Sequence, residues 1–266
     1  MSNHKPKSVV EISQVNSYYG QRQILSDVSL TITQKEIMVI MGHSGSGKTT
    51  LFKHILGLLT PSSGSISLLG KEVTNISNKD LHELRKNIGV AFQNGALFSS
   101  MSLIENVELP LLEHTKLDKQ TIRIMARMKL ELMNLAEHED LMPAELSGGM
   151  LKRAGLARAT VMDPDILFFD EPSAGLDPIA SAELDELILQ LRDALNMTII
   201  VVTHELESAF KIADRITVMD QGTQIMTGTK EEIIANTDPR IMNMLQRRAV
   251  NDAVDGDKYI AQLTRE

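Results

Sequence analysis

Residues 37–50 read Ile37-Met38-Val39-Ile40-Met41-Gly42-His43-Ser44-Gly45-Ser46-Gly47-Lys48-Thr49-Thr50. The apolar run predicts a buried strand over residues 35–41, which breaks into glycine, and a helix over residues 48–58 follows. Residues 42–49 match G-x-x-x-x-G-K-[ST] in the strand-to-helix context that a phosphate-binding loop requires. Glycines let the backbone curl so that successive N–H groups face phosphate oxygens, and the helix N-terminus adds positive potential there. Lys48 is the candidate for the β- and γ-phosphates, and the Thr49 hydroxyl for Mg²⁺. Gly42, His43, Ser44, Gly45, Ser46, Gly47 and Thr50 complete the candidate cradle. By itself this loop predicts a nucleoside triphosphate without saying which one.

Strands and helices alternate outward from the loop. Residues 9–15 and 28–33 have the period of half-buried strands, with Tyr18-Tyr19-Gly20-Gln21 as the turn between them. Further strands are predicted at 64–69, 88–92, 166–169, 198–202 and 216–219, and helices at 148–160 and 181–195. Residues 103 to about 139 are dense in Leu, Met and Ile and read as part of a helical subdomain. The alternation predicts an α/β fold: a P-loop core of mostly parallel sheet flanked by helices, with an N-terminal antiparallel β subdomain and an inserted helical one. The expected division is one domain over 1–240, its helical part at about 94–160, and a C-terminal extension over 241–266. In that extension Ile241, Met244, Leu245, Tyr259, Ile260 and Leu263 are spaced helically, which predicts packing across a dimer. Glu183, Asp185, Glu186 and Asp193 read as a solvated helix face.

The chain has 266 residues, 42% of them hydrophobic, and a net charge of -8. An acidic balance argues against a nucleic-acid partner, which needs clustered Lys and Arg. No apolar run approaches the roughly 20 residues that span a bilayer, so a membrane role is expected to come through a partner. Cysteine is absent, which excludes disulfides.

A second apolar run, Ile166-Leu167-Phe168-Phe169, ends in Asp170-Glu171. Asp170 at the strand end is the candidate holder of Mg²⁺, and Glu171 the candidate that orients or deprotonates an attacking water. Leu146-Ser147-Gly148-Gly149-Met150 then opens a helix as another anion nest.

This last stretch resembles the LSGGQ signature of the ABC ATPases, with Met150 in place of Gln. The resemblance spans residues 9–235. It implies ATP and Mg²⁺ bound in a head-to-tail homodimer, where Ser147, Gly148 and Gly149 of one chain face the nucleotide on the other. It further implies that Gln93 is the Q-loop glutamine that contacts Mg²⁺ and water, that Asp177 ends the loop crossing the interface, and that His204 is the switch histidine. Tyr19 resembles the aromatic that stacks on adenine, with Tyr18 the alternative one residue earlier. Each of these residues alone has an ordinary structural explanation; their common order carries the resemblance. Residues 94–146 between Gln93 and Ser147 are too few for the coiled coils of DNA-repair relatives.

Phe92-Gln93-Asn94-Gly95-Ala96-Leu97-Phe98, Asn106-Val107-Glu108-Leu109-Pro110-Leu111-Leu112-Glu113-His114-Thr115, Ser147-Gly148-Gly149-Met150-Leu151-Lys152-Arg153-Ala154 and Asn236-Thr237-Asp238-Pro239-Arg240 resemble the ATPases of MCE-type lipid transport, most of all the Mla phospholipid systems of Gram-negative bacteria. That resemblance implies a peripheral ATPase at the cytoplasmic face of the inner membrane. It also implies a permease, an MCE-domain lipid-binding component and a STAS-like cytoplasmic regulator as partners. An importer of amino acids or another polar solute is the alternative, and so is a non-transport ABC ATPase. Leu97, Phe98, Met101 and Leu103 are expected to be exposed and to form a groove for a permease helix.

Overall fold

Backbone pairing sorts the strands into two sheets. The computed structural model describes residues 7–246. In chain order the elements are β1 (Ser8–Tyr19), β2 (Arg22–Thr33), β3 (Ile37–Met41), α1 (Lys48–Ile55), β4 (Ser63–Leu68), β5 (Lys71–Glu72), α2 (Asn78–Arg85), β6 (Ile88–Ala91), α3 (Leu103–His114) and α4 (Lys119–Leu132). They continue with α5 (Gly148–Thr160), β7 (Ile166–Asp170), α6 (Pro178–Leu195), β8 (Thr198–Thr203), α7 (Leu206–Ile212), β9 (Arg215–Asp220), β10 (Thr223–Gly228), α8 (Lys230–Ile234) and α9 (Pro239–Leu245). One sheet is antiparallel in the order β2-β1-β4-β5, and the other runs β10-β9-β3-β8-β7-β6. In the second sheet only the edge strand β10 pairs antiparallel.

Every residue of β3 and of β8 is buried, as expected for central parallel strands covered on both faces. Alternate side chains serve two cores. Ile37, Val39 and Met41 face the helical side with Leu167, Phe169, Ile199 and Val201. Met38 and Ile40 face α1 and the antiparallel sheet with Phe168, Ile200 and Val202. There Phe52 of α1 meets Phe168 edge to face at 5.5 Å, tying the helix after the glycine loop to the strand that ends in the acid pair.

The structure corrects two expectations. Leu103 is fully buried in the core, so of the four residues expected to be exposed only Phe98 is, with Leu97 and Met101 partly so. Asp185 is also buried rather than solvated, because it lies beside Leu184 on the inner face of α6, where it accepts a hydrogen bond from Ser208 of α7. Burial raises its pKa, and the Ser208 bond offsets part of that shift. Ile241 and Met244 of α9 pack into this chain's own core, while Tyr259, Ile260 and Leu263 lie outside the described residues.

Asn106 on α3 is fully buried and shapes the segment after Gln93. Its Oδ1 accepts from Phe98 N at 2.7 Å, and its Nδ2 donates to the carbonyls of Phe98, Met101 and Ser102 at 3.0–3.1 Å. Asn106→Ala leaves Phe98 N without its acceptor and removes a donor from the three carbonyls, and should cost about 1–3 kcal/mol in urea unfolding. A midpoint unchanged from wild type would show that the loop holds its shape without this side chain.

Candidate nucleotide site

The glycine loop emerges from the C-terminal end of β3, and Gly47 caps α1 at φ 98°, a left-handed conformation that only glycine adopts without strain. The loop is braced from both sheets. A Cβ on Gly47 would stand 2.7 Å from Leu25 Cδ2, and Gly222 N donates to the Ser46 carbonyl at 3.1 Å. Lys48 is buried, and its Nζ donates to the carbonyls of Gly42 at 2.7 Å and His43 at 3.0 Å. Burial holds its pKa below the usual lysine range, partly offset by the charges of Glu171 and Asp170. The Ser46 hydroxyl is buried with no hydrogen-bond partner, while His43, Ser44, Gly45 and Thr49 are exposed. A buried cation resting on carbonyls and an orphaned hydroxyl beside open backbone fit an anionic ligand such as a triphosphate. Thr50 is buried behind the loop.

Two strands away, β7 delivers the acids. Burial raises the Asp170 pKa, the charge of Glu171 adds to this, and Lys48 opposes it. Glu171 sits at φ 51°, and its N–H donates to Val202 O at 2.8 Å. Its carboxylate is held from β8: Thr203 Oγ1 lies 3.2 Å from Oε2, and His204 Nδ1 lies 3.0 Å from each oxygen. Thr203 was not marked by the sequence; the only hint is its place directly before His204 at the end of an apolar strand. Among the described residues no group of three or more His, Asp or Glu side chains is arranged to hold a metal. The candidate ligands Thr49, Gln93 and Asp170 would hold an Mg²⁺ only together with oxygens that a bound phosphate brings.

Gln93 is exposed in the turn after β6. That turn is clamped to α5: a Cβ on Gly155 would lie 2.8 Å from Gly95 Cα, and Arg158 donates to the carbonyls of Gly95 and Ala96, both at 2.9 Å. Thus the ends of β3, β8, β7 and β6, adjacent in the sheet, bring together the glycine loop, His204, Asp170, Glu171 and Gln93. Open α/β sheets place ligands at this carboxyl edge.

The remaining candidates lie on other elements. Ser147 caps α5, its hydroxyl accepting from Met150 N at 3.2 Å, and Ser147 and Gly148 are exposed. Gly149 lies beside Ala180, and Met150 packs against the core, which accounts for an apolar side chain where the signature has Gln. The Asp177 carboxylate caps α6, accepting from the N–H groups of Ile179 and Ala180 at 3.0 Å. Tyr18 and Tyr19 are both exposed at the tip of the β1–β2 hairpin.

The sequence pattern of the ABC transporter family matches residues 25–174. The chain belongs to the ABC transporter family. The intermembrane phospholipid transport system ATP-binding protein MlaF of Haemophilus influenzae is 41% identical over 256 residues, covering 96% of each chain. The probable ribonucleotide transport ATP-binding protein mkl of Mycobacterium tuberculosis is 40% identical over 91% of this chain and 67% of its own length. Among solved structures, the dimeric ATP-binding cassette MJ0796 in a post-hydrolysis state with ADP and Pi superposes with a TM-score of 0.76 at 28% identity, over 83% of this chain and 98% of that one. As a member of this family the chain is an ATPase that uses ATP with Mg²⁺.

The raised Asp170 pKa has a consequence for stability. The folded chain holds this proton more tightly than the unfolded chain, so the group stabilises the fold as pH falls through its folded pKa and is a penalty at neutral pH. Asp170→Asn should therefore raise the melting temperature of the nucleotide-free chain at neutral pH. The same variant should lose most of the ~2.7 kcal/mol that MgADP at a hundred times its Kd confers. Calorimetry showing full MgADP stabilisation in the variant would remove Asp170 from the metal site.

Proposed function

We propose that this chain is the ATP-hydrolysing subunit of a transporter that moves phospholipid between the inner and outer membranes of a Gram-negative envelope. The observation that carries the catalytic part is the convergence of Lys48, Asp170, Glu171, Thr203 and His204 at neighbouring strand ends. The cargo is supported by the 41% identity to an intermembrane phospholipid transport protein along nearly the whole of both chains.

In this reading the glycine-loop N–H groups and Lys48 hold the β- and γ-phosphates, and Tyr19 stacks on the adenine. Thr49, Asp170 and Gln93 would hold Mg²⁺, which would neutralise charge on the transferred phosphoryl group. Glu171 orients and accepts a proton from the attacking water, and His204 leaves Glu171 to contact the γ-phosphate. Ser147 and Gly149 of a second copy, with the loop ending at Asp177, close the site from the far side. Catalysis is then mostly positioning and charge stabilisation in a water-poor interface. Release of the γ-phosphate opens the pair, and the tighter binding of ATP to the closed form does the work on the membrane partner.

No helix among the described residues is long and apolar enough to cross a membrane. We propose that the chain works at the cytoplasmic face of the inner membrane, on a permease, in company with an MCE-domain lipid-binding component and a STAS-like regulator, a reading supported by its similarity to an intermembrane phospholipid transport protein. A groove beside the Gln93 turn suits a short permease helix, but it is lined by Val90, Phe92, Pro110 and Met162 with Arg85 and Arg158, and not by the expected Leu97, Phe98, Met101 or Leu103. The mkl relative, similar at 40% identity, keeps a polar cargo as the second reading.

Glu171→Gln should bind MgATP and hydrolyse it about 10²–10⁴-fold more slowly in a single-turnover assay. Turnover at the wild-type rate removes Glu171 from its role. For the cargo, the complex purified with its permease should carry phospholipid as detected by mass spectrometry and should be stimulated by phospholipid vesicles. Stimulation by nucleotides or amino acids instead, with no bound lipid, favours the polar reading.

A further inference from the structure

Lys152 lies on α5, just over one turn beyond the Ser147 cap, and its ammonium group does not point to solvent. Its Nζ donates to three backbone carbonyls: Glu171 at 3.4 Å, Pro172 at 2.5 Å and Ala174 at 2.6 Å. An ammonium group has three donors, so these acceptors use all of them. The segment it grips begins at the candidate base and leads to Asp177. Its own bonds are few: Ala174 N donates to Glu171 O at 3.3 Å and Leu176 N to Ser173 O at 3.1 Å, while the Ser173 hydroxyl is buried without a partner. Glu171 itself is held at positive φ, a conformation that the surrounding contacts must impose. Burial lowers the Lys152 pKa, and the charges of Glu171 and Glu205 offset part of that shift.

The helix that carries Lys152 begins with the residues that face a second copy's nucleotide, and the loop that Lys152 holds carries the base for its own. We propose that Lys152 is a positioning residue that locks the signature end of α5 to the Glu171 loop, so that filling one nucleotide site of the dimer sets the base of the other. The proposal rests on the two-site dimer described above. A lysine that only stiffened the loop would lower stability or turnover without changing how the two sites communicate.

The test is ATP hydrolysis by the intact transporter as a function of ATP concentration, for wild type, Lys152→Met and Lys152→Arg. Two coupled sites allow a Hill coefficient up to about 2. Wild type should be clearly cooperative. Lys152→Met, which keeps the apolar stem and removes the donors, should fall to a coefficient of about 1 with kcat lowered roughly tenfold, within the usual range of site-to-site coupling. Lys152→Arg should recover cooperativity. MgADP affinity of the full chain, which draws on the glycine loop and the metal ligands and on none of the three carbonyls that Lys152 holds, should stay within about twofold of wild type. A Lys152→Met transporter with the wild-type Hill coefficient overturns the proposal. If that variant loses MgADP binding and is therefore misfolded, Lys152→Gln replaces it, and an unchanged coefficient there overturns the proposal equally. A non-cooperative wild-type enzyme active as a monomer overturns the two-site reading and this proposal together.

Discussion

Parallel pairing of β3, β8, β7 and β6 is the constraint on which the rest of the site depends. Because β3 and β8 are buried on every residue, their polar and flexible features collect where the strands end. In-register pairing then fixes which ends are neighbours: Met41 opposite Thr203, and Asp170 opposite Val202. The glycine loop, the acid pair and the histidine are brought within reach of one another by ladders of backbone hydrogen bonds. The two cores on either face hold that edge rigid, and edge-to-face contact of Phe52 with Phe168 links the loop helix to the acid strand.

The free chain keeps its reactive groups engaged with one another. Lys48 rests on the carbonyls of its own loop, and Glu171 is bound by Thr203 and His204. In the proposed cycle a phosphate at the loop would offer Lys48 a stronger, charge-assisted partner and draw His204 away from the carboxylate. Binding energy would thereby be directed to groups whose rearrangement prepares the proposed base, Glu171. Asp170, whose burial disfavours its charge, gains most from a cation placed beside it. In the same reading the nucleotide and its metal would bring charges opposite to those of Lys48 and Asp170.

Much of this was legible in the sequence because local chemistry decided it. The helix at 148–160 was readable because Ser147 is a strong cap and two glycines open the turn. The buried strands were readable as short apolar runs ending in glycine or acid. Side chains that act across elements were not. Thr203 and Lys152 have ordinary neighbours in sequence, and their roles arise only when β8 meets β7 and α5 meets the loop after it. Asp185 looked solvated in an acid-rich helix, yet helical phase puts it on the face shared with Leu184 and Ile188. The edge strand Thr223–Gly228 is half-buried and mixed in polarity, and α2 is short and strongly polar, so neither carries a clear period.

The account stands on a nucleotide shared between two copies, with the glycine loop of one facing the serine–glycine nest of the other. The most direct measurement is the structure of the Glu171→Gln chain with MgATP. The account predicts a dimer holding two ATP molecules, each γ-phosphate within hydrogen-bond reach of Lys48 of one copy and Ser147 of the other. A single copy that binds MgATP with Ser147 remote from any phosphate, paired with full hydrolysis by the wild-type monomer, would contradict it.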